Sequence, residues 1–589
     1  MDQQVTKAAW HKPLNAWRKR CCLYPAPAPL PRTHAFWLAI AIVAALTLLF
    51  SGYFICYLTA QQDAFITNAE DLGIMDQAIW NTIHGHLFQQ TICNILNDTN
   101  CYSPQGISRF ALHFEPILFP VSLLYFLWPS PKALQILQVL VVASGAFPAF
   151  WLARLRLRNE WASIVIALLY LLYPAQQNAL TFDFHAVTFT TALLLFTLYF
   201  MYTRRTIWLL LFAILSMACK EEIPLLIVFF GLWSMLFQYR WRSGLALVLM
   251  AIAWSGLSLL VMHLASPTGN PLLASRYTYL GSNPLQVAQT FLLHPLSIFR
   301  AHVWEHAHST YLSTLLAPVG YLPLLAPWVL ILALPSLALN LLSTDPAMYS
   351  GMFQYNAELV PILIFSTIES IVLIMWLAQR CQMALLKNCP RLILPHSTPP
   401  QGTREGYPYY GRSGFRYRSS SEKLGPSIVG VPFTGTLGGS GELWWRGWRG
   451  WILLTYILWS VIYVNFAHST LPFAHDFRWP RITMHTALAQ HFIAMIPPTA
   501  SVSAQTRLVP HLSQRLSIYL FPYGDDQAKY ILLDVTGDTY PYGNVQAYDD
   551  EVKKVLLSGH YGIVAVENGY LLLERGLPPP VAFPYSLSS

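Results

Sequence analysis

Charge is what this sequence has least of. Only 11% of its 589 residues are charged and 54% are hydrophobic, whereas about 25% of the residues of an ordinary globular domain are charged. The sequence also lacks a glycine-rich phosphate loop, a zinc signature and a nucleophile elbow. Repeats of solenoid period are absent as well. The usual signs of a soluble nucleotide enzyme, a zinc protein or a serine hydrolase are therefore missing, and we expect no nucleic-acid partner.

Long apolar runs take the place of charge. Residues 36–60 are uncharged throughout, long enough for one tilted span at roughly 1.5 Å per residue. This run is too long, and too far from the first residue, for a signal peptide. The sequence therefore predicts a mainly α, polytopic transmembrane helical bundle of about eleven spans. They are 36–60, 133–153, 161–176, 187–203, 207–219, 223–238, 243–265, two short spans within 311–342 broken around Pro323 and Pro327, 357–379 and 451–467.

Basic residues next to the spans predict the orientation, because Lys and Arg concentrate in cytoplasmic loops. The resulting protein is a multi-pass protein of the cell membrane with its N-terminus in the cytoplasm. Segment 113–128 would lie on the outer surface as a juxtamembrane element without crossing. The predicted parts are a cytoplasmic arm 1–35, a transmembrane core 36–380 with outer loops 61–132 and 266–310, a flexible basic cytoplasmic loop 381–446, a last span within 447–469 and an extracytoplasmic domain 470–589.

The C-terminal segment 470–589 has a different pattern. The stretches SVSA, SIYLF, YILLDV, YGIVAVE and GYLLLERG are strand-like, while LVPHLSQR and YDDEVKKVLLSG are helix-like. Alternating strand and helix patterns indicate a small α/β domain outside the membrane. In outer loop 61–132, Cys93 and Cys101 could pair in an oxidising compartment or remain free thiols.

Asp71 and Asp76 are the first candidate catalytic residues. They lie in EDLGIMDQAIW, directly after the first span. On a helix over 70–84 the apolar residues form one stripe that could lie in the membrane, with both carboxylates beside it at the lipid–water boundary. The stripe consists of Leu72, Met75, Ile79 and Ile83. Alternatively, Asn68 caps this helix, Asp71 completes an arrangement like a capping box, and Asp76 is only solvated.

Other ionisable residues recur next to the spans. Such groups are costly at membrane depth and are functional by default. The predicted topology puts them on the outer side, where they could converge with Asp71 as a substrate-binding set: His113, Glu115, Asp183, His185, Lys220 and Glu221. The structural alternatives are an ion pair of Lys220 with Glu221 or Glu222, and a hydrogen bond from His185 to a backbone carbonyl.

A metal ion and a phosphate are the ligands that these residue types suit. His113, Glu115, Asp183 and His185 are acceptable ligands for a divalent metal, but no local spacing enforces such a site. We therefore expect no cofactor and keep the metal as the less favoured alternative. Arg276, in outer loop 266–310, could grip a phosphate with its guanidinium, or could simply be an exposed surface residue.

At these residues the chain resembles a bacterial multi-pass membrane family, domain of unknown function 2079. The resemblance covers roughly 40–380 and 450–575. The stretches that carry it are DLGIMDQAIWNTIHGH, LHFEPILFPVSLLYFLWPSPKALQILQ, LLYPAQQNALTFDFHAV, CKEEIPLL, APVGYLPLLAPWVLILALPSLALNLLS, ASVSAQTRLVPHLSQR and YILLD.

That family is in turn similar to the GT-C glycosyltransferases, the relatives of protein mannosyltransferases and aminoarabinose transferases. The resemblance implies a catalytic acid at Asp71, and its HPPL-like segment corresponds to His113-Phe114-Glu115-Pro116. The chain departs from the usual Asp-Glu pair, since Glu70-Asp71 is followed by Leu72.

The resemblance implies transfer of a sugar from a polyprenyl-phosphate donor to an envelope glycan, lipid or protein on the outer face. Asp71 would be the general base, and Lys220 or Arg276 would stabilise the departing phosphate. A transporter and a non-catalytic membrane scaffold are the alternatives, because intramembrane charges and broken helices also suit substrate pathways.

Overall fold

The computed structural model describes residues 24, 27, 30–96, 101, 103–269, 276–281, 286, 289–290, 293–302, 305–388, 445 and 448–579. Most of the predicted arm 1–35 and of the predicted loop 381–446 lies outside these residues.

Apolar helices make up most of the described chain. Seven of them are long and apolar enough to cross a membrane: His34–Asp63, Pro131–Leu157, Glu160–Thr181, Ala186–Thr203, Trp241–Ala265, Gln354–Gln382 and Trp448–Ala467. Three shorter apolar helices accompany them, Thr206–Met217, Ile223–Gln238 and Pro327–Leu341. The predicted helical bundle is therefore confirmed, while the number of spans in a bilayer stays a prediction.

Segment 311–342 is broken, as predicted. It runs through His306–Leu316, the 3-10 turns Ala317–Val319 and Leu322–Leu325, then Pro327–Leu330, Ile331–Ala333 and Leu334–Leu341. Asn340 Nδ2 donates to Tyr311 Oη over 2.8 Å, so the two limbs meet at one end of the bundle. Near the turn, Trp328 Nε1 donates to Tyr24 Oη over 2.9 Å. The segment therefore descends into the bundle and returns.

The bundle has two chemically different ends. We call one the arginine end, defined by Arg154, Arg156, Arg204 and Arg240. There Arg156 grips the Glu369 carboxylate with Nε and Nη2 at 2.5 and 2.6 Å. We call the opposite end, where the helices join loop 61–132, the loop end.

The loop end carries a helix, Ile74–Ile83, whose apolar stripe is not exposed to lipid. Leu72, Met75 and Ile79 are buried in one cluster with Phe110 and Tyr125. The prediction of a membrane-lying stripe is therefore wrong, because protein covers it. The juxtamembrane segment forms only the short helices Leu118–Ser122 and Leu123–Phe126, which cannot span roughly 30 Å of hydrocarbon.

Two further features close this loop. Strands β1 (Gln89–Gln90) and β2 (Ile107–Ser108) pair antiparallel. Cys93 and Cys101 form a disulfide between them, which settles the alternative that the sequence left open.

The C-terminal domain is a five-stranded mixed sheet in the order β4-β3-β5-β7-β6. Strand β3 is parallel to β4 and β5, and β7 is antiparallel to β5 and β6. The strands are β3 (Val502–Ala504), β4 (Ile518–Leu520), β5 (Tyr530–Asp534), β6 (Tyr561–Glu567) and β7 (Tyr570–Arg575). The sheet packs between helices Met484–Ala494 and Val545–Leu557. The predicted strands are confirmed, but LVPHLSQR forms only one 3-10 turn, Val509–His511.

This domain is docked on the loop end. Phe65, Ala69 and Ile74 share one buried apolar cluster with residues of the sheet. The Ile518 N–H donates to Thr91 Oγ1 over 3.0 Å, so the loop also binds the edge strand β4. The two parts are therefore held by apolar burial and by a hydrogen bond between the β4 backbone and a loop side chain.

Helices Ile223–Gln238 and Trp241–Ala265 pack closely against each other at two glycines, Gly231 and Gly244. A Cβ on Gly231 would lie 2.7 Å from the Gly244 carbonyl oxygen, and one on Gly244 would lie 2.6 Å from that of Gly231. Small residues let helix backbones approach closely in a membrane. This crossing therefore depends on both glycines.

We predict that Gly244→Val lowers the free energy of unfolding by about 1–3 kcal/mol, because the added side chain forces the two backbones apart. Thermal unfolding in detergent measures the loss. The control is Gly256→Val in the same helix, where a Cβ meets no atom within 4 Å. Equal melting temperatures of the two variants would contradict the prediction.

Candidate functional site

A cavity of about 300 Å³ opens at the loop end. Most of the predicted site residues line it: Asp71, His113, Glu115, His185, Lys220 and Arg276. Glu70, Arg109, Gln354 and Tyr355 also contribute to its polar wall. The structure therefore brings together groups from the first loop, from two helix junctions and from the loop after Ala265. Asp76, Asp183 and Glu221 are not among its lining residues.

Asp71 lies on a π-helical turn, Ala69–Gly73, that precedes helix Ile74–Ile83. Asn68 is the N-cap residue but its side chain makes no capping hydrogen bond. Its backbone N–H donates instead to Asp183 Oδ2 over 2.9 Å. The alternative in which Asn68 and Asp71 complete a helix cap is therefore wrong, because a carboxylate from another loop occupies that position. Single π turns are frequent at functional sites.

Asp183 supports the turn from behind the cavity. Its side chain is buried, and burial together with the nearby Asp71 charge raises the pKa of Asp183 well above its usual value. Backbone N–H groups of Asn68 and Leu72 oppose this rise by favouring the carboxylate. Asp183 therefore holds the turn by a hydrogen bond and does not line the cavity.

The Asp71 carboxylate contacts His185, with 3.0 Å between Oδ1 and Nε2. His185 is held in place because its backbone N–H donates to Gln138 Oε1 over 2.8 Å and its ring stacks on Phe182. The predicted alternative, a hydrogen bond from His185 to a backbone carbonyl, is not formed within the described chain, where its Nδ1 has no partner. The pair presents one oriented carboxylate to the cavity.

Three cations face the same cavity, and each is held by a carboxylate. The pairs are Arg109 with Glu115 at 2.9 Å, Lys220 with Glu222 at 2.7 Å and Arg276 with Asp345 at 2.9 Å. The Tyr355 ring lies between two of them, 5.3 Å from Lys220 Nζ and 5.9 Å from Arg276 Cζ. These positive groups therefore reach the cavity from three segments, two of them beside Tyr355.

The ion pair predicted as the structural alternative for Lys220 is present, with Glu222 as its partner. Burial by itself would lower the pKa of Lys220, but Glu222 and Glu221 outweigh it and raise that pKa. Lys220 is thus a permanent cation at the cavity wall.

Glu221 points elsewhere. Its carboxylate lies 2.8 Å from His113 Nδ1 and accepts the Phe114 N–H over 3.1 Å. Burial opposes its charge, but His113 and Lys220 prevail and lower the pKa of Glu221. Glu221 therefore fixes His113 at the cavity wall without lining the cavity itself.

Asp76, the second predicted catalytic residue, lies in a different environment from the one predicted. Its side chain is fully buried, so it does not lie at a lipid–water boundary. Ser513 Oγ donates to Oδ2 over 2.6 Å, Gln514 Nε2 donates to Oδ1 over 3.2 Å, and Tyr125 Oη also donates to Oδ1. Asp76 therefore joins the loop helix to the juxtamembrane element and the C-terminal domain.

Sequence reasoning missed several residues around the turn. The Ala69 N–H donates to Thr506 Oγ1 over 3.3 Å. Tyr540 Oη donates to the Glu70 carboxylate and accepts from Asn94 Nδ2 over 2.9 Å. These partners come from the C-terminal domain, more than four hundred positions away, and no local pattern announces them. Arg109 had a signal, since it is the only basic residue between 61 and 112.

Three of the residues named as possible metal ligands line one cavity, but the named residues are bound to other groups of the protein. Glu115 is bound to Arg109, Asp183 to Asn68, and His113 to Glu221. Among the described residues, no group of three or more His, Cys, Asp and Glu side chains could hold a metal ion.

The apolar spans and the polar cavity at their end define a polytopic membrane protein with a buried ionic site. The family described as predicted membrane protein (DUF2079) matches residues 61–389 and 441–572. These ranges cover more than half of the sequence, so the chain belongs to this family.

No curated protein matches the chain. Among solved structures, it is similar to the archaeal oligosaccharyltransferase AglB from Archaeoglobus fulgidus in complex with an inhibitory peptide and a dolichol-phosphate, with 11% identity and a TM-score of 0.40. The match covers 90% of this chain and 72% of that one. A similarity of this size does not carry an activity to the chain.

We predict that Asp76→Asn changes how stability depends on pH. Burial raises the pKa of Asp76 to about 6, above its usual value in an unfolded chain. The folded protein therefore binds this proton more tightly, and its stability falls as pH rises from about 4 to 6. Asp76→Asn has no carboxylate to ionise and does not lose this stability. Its free energy of unfolding therefore rises relative to that of the wild type, by at most roughly 3 kcal/mol across that pH range.

Melting temperatures in detergent at a series of pH values measure the gain. The control is Asp476→Asn, since that carboxylate is exposed. Parallel curves for wild type and Asp76→Asn at every pH would contradict the assignment.

Proposed function

We propose that this protein is a membrane glycosyltransferase that moves a sugar from a polyprenyl-phosphate donor to an envelope acceptor, with Asp71 as the general base. The observation that carries the proposal is the Asp71–His185 pair at 3.0 Å in a cavity that three cations also line. The family resemblance at Asp71 and at the His113-Phe114-Glu115-Pro116 segment supports the same assignment.

The proposed reaction needs one proton acceptor. A hydroxyl of the acceptor attacks the anomeric carbon of the sugar, and its proton passes to an Asp71 oxygen. The bond from the anomeric carbon to the phosphate oxygen breaks, and the electron pair leaves with the lipid phosphate. A carboxylate serves as general base when it is within hydrogen-bond reach of that proton. The His185 contact orients the Asp71 carboxylate toward this task.

The leaving phosphate needs positive charge. Arg109, Lys220 and Arg276 line the cavity, Lys220 and Arg276 lie beside Tyr355, and their carboxylate partners keep all three in place. Donors fixed before the reaction stabilise charge that develops in the transition state. The proposal therefore places the phosphate near Lys220 and Arg276, and the sugar between them and Asp71.

The exposed juxtamembrane element supports a lipid-linked donor. Leu123, Phe126, Leu127 and Trp128 expose large apolar surface a short way along the chain from His113 and Glu115. Exposed apolar patches of this kind mark membrane contact. The orientation, with this end on the outer face of the cell membrane and the N-terminus in the cytoplasm, rests on the positive-inside rule and is part of the proposal.

We predict that Asp71→Asn lowers the rate of sugar transfer about 100-fold or more, because the general base is lost. The assay follows a radiolabelled sugar from polyprenyl phosphate in proteoliposomes. The matched control is Asp476→Asn, which alters another aspartate that contacts a histidine, His475, but on the exposed surface. Full transfer activity of Asp71→Asn would contradict Asp71 as the general base, and a wild-type protein that transfers no sugar would favour a scaffold. Uptake or efflux of solute that does not depend on lipid-phosphate sugars would favour a transporter.

We also predict that Tyr540→Phe lowers the rate of transfer by about tenfold, because it removes the hydroxyl that holds Glu70 beside Asp71 and a small misplacement of a catalytic group is costly. The expected change is in kcat and not in KM for the donor. The control is Tyr542→Phe on the same loop, whose hydroxyl contacts Glu551 instead. If Tyr540→Phe and Tyr542→Phe lower the transfer rate equally, the loop affects activity only through the stability of the protein, which would contradict the prediction.

A further inference from the structure

A second cavity, of about 290 Å³, lies at the loop end but outside the proposed active site. Its walls come from three parts of the chain: the end of the first span, the start of helix Pro131–Ser144 and the segment after β3. They are Gln62, Asp63, Pro129, Ser130, Pro131, Lys132, Pro510, His511 and Gln514. None of these residues lines the cavity that contains Asp71.

The position of this second cavity is at the membrane surface. Asp63 is the last residue of the first span, and Pro131 is the first residue of another. Leu127 and Trp128, which directly precede the cavity wall, have exposed side chains. The C-terminal domain covers the cavity from the other side through Pro510, His511 and Gln514. A molecule bound here would have its polar part at the lipid–water boundary.

The cavity contains both signs of charge. Lys132 Nζ lies 2.6 Å from Asp63 Oδ1, and both side chains remain partly exposed. Lys132 is also in the first turn of helix Pro131–Ser144, whose N-cap residue Ser130 makes no side-chain capping bond. Pro131 has no backbone N–H, and the Ala133 N–H donates to the Ser130 carbonyl oxygen over 2.9 Å, so the Lys132 ammonium supplies the positive charge of this wall. An anion would therefore find donors on one side of this cavity, while a cation would find the Asp63 carboxylate.

His511 adds an acceptor. Its ring stacks on Phe65 with 3.8 Å between centroids, and it hydrogen-bonds the backbone of Gln62. Burial lowers the pKa of His511 to about 4, so the ring is neutral at pH 7. Its Nε2 is buried and has no hydrogen-bond partner within the described chain. In a neutral imidazole that donates through one nitrogen, the other nitrogen accepts.

We propose that this cavity binds the head group of phosphatidylethanolamine. The ammonium donates to Asp63 and to His511 Nε2, while the Lys132 ammonium binds the phosphate. This inference does not depend on the proposed transferase activity.

Two other common head groups fit less well. A choline head group has no N–H and cannot donate to Asp63 or His511. A glycerol head group carries only a negative charge, so its phosphate and the Asp63 carboxylate would share the single Lys132 cation. The ethanolamine ammonium offers three donors in a compact group, which matches the two acceptors found here.

A bound lipid would also brace the C-terminal domain. Gln514 lines this cavity and donates to the buried Asp76. The same segment contributes Val509, which packs on the turn that carries Asp71, 3.0 Å from where a Cβ of Gly73 would lie. The head group would therefore tie the membrane surface to the segment that supports the site.

The test is lipid titration of the purified full-length protein, read by native mass spectrometry. The probes are phosphatidylethanolamine, phosphatidylcholine and phosphatidylglycerol with identical acyl chains. We expect the ethanolamine lipid to bind about tenfold more tightly than either other lipid, since charge-assisted hydrogen bonds are strong. Soluble phosphoethanolamine should compete with it.

Variants locate the binding. Lys132→Met and Asp63→Asn should each raise the Kd for the ethanolamine lipid about tenfold, whereas Lys529→Met, which alters an exposed lysine on the C-terminal domain, should not change it. If a single variant fails to fold, the neutral double variant Asp63→Asn/Lys132→Met gives the same test without an unpaired charge. Equal binding of the three lipids, tighter binding of phosphatidylglycerol, or a Kd that these variants leave unchanged would overturn the proposal.

Discussion

The burial of the Asp76 carboxylate is the interaction on which the loop end depends. Hydrogen bonds from Tyr125, Ser513 and Gln514 satisfy it, and these donors come from the juxtamembrane element and the C-terminal domain. A buried carboxylate without such partners would be very unfavourable. The three parts must therefore be assembled together, and the helix that follows the Asp71 turn is fixed only in that assembly.

The Asp71 turn receives its geometry from the same assembly. Asp183 accepts the N–H of Asn68 from the bundle side, while Thr506 accepts that of Ala69 from the C-terminal domain. Tyr540 adds a hydrogen bond to Glu70. The π turn is therefore held by hydrogen bonds from both the bundle and the C-terminal domain. The Asp71 side chain extends from this turn into the cavity and contacts His185. The membrane bundle alone would lack half of these contacts.

Much of the fold could be predicted because it depends on local patterns. The apolar runs identified the helices, Pro323 and Pro327 marked the broken segment, and the alternating stretches identified the strands of the C-terminal sheet. The stripe of Leu72, Met75 and Ile79 was assigned to lipid because an apolar stripe looks the same whether lipid or protein covers it. In the structure, Phe110 and Tyr125 pack against this stripe, a contact that depends on the tertiary fold and not on a local pattern.

Part of the candidate site could be predicted because ionisable residues are rare beside the apolar spans. Ionisable residues beside spans are few, so Asp71, His113, His185, Lys220 and Arg276 could be named, and all of them line the cavity. Their pairing could not be predicted. Which carboxylate binds Lys220 depends on a junction between helices, and the contact of Tyr540 with Glu70 joins residues 470 positions apart.

The most direct test of the central claim is a structure of the Asp71→Asn protein with a bound polyprenyl-phosphate sugar. We expect the phosphate within hydrogen-bond distance, about 3 Å, of Lys220 or Arg276, and the anomeric carbon facing residue 71 across the cavity. A lipid phosphate bound at another surface, with none in the cavity beside residue 71, would contradict the proposed active site.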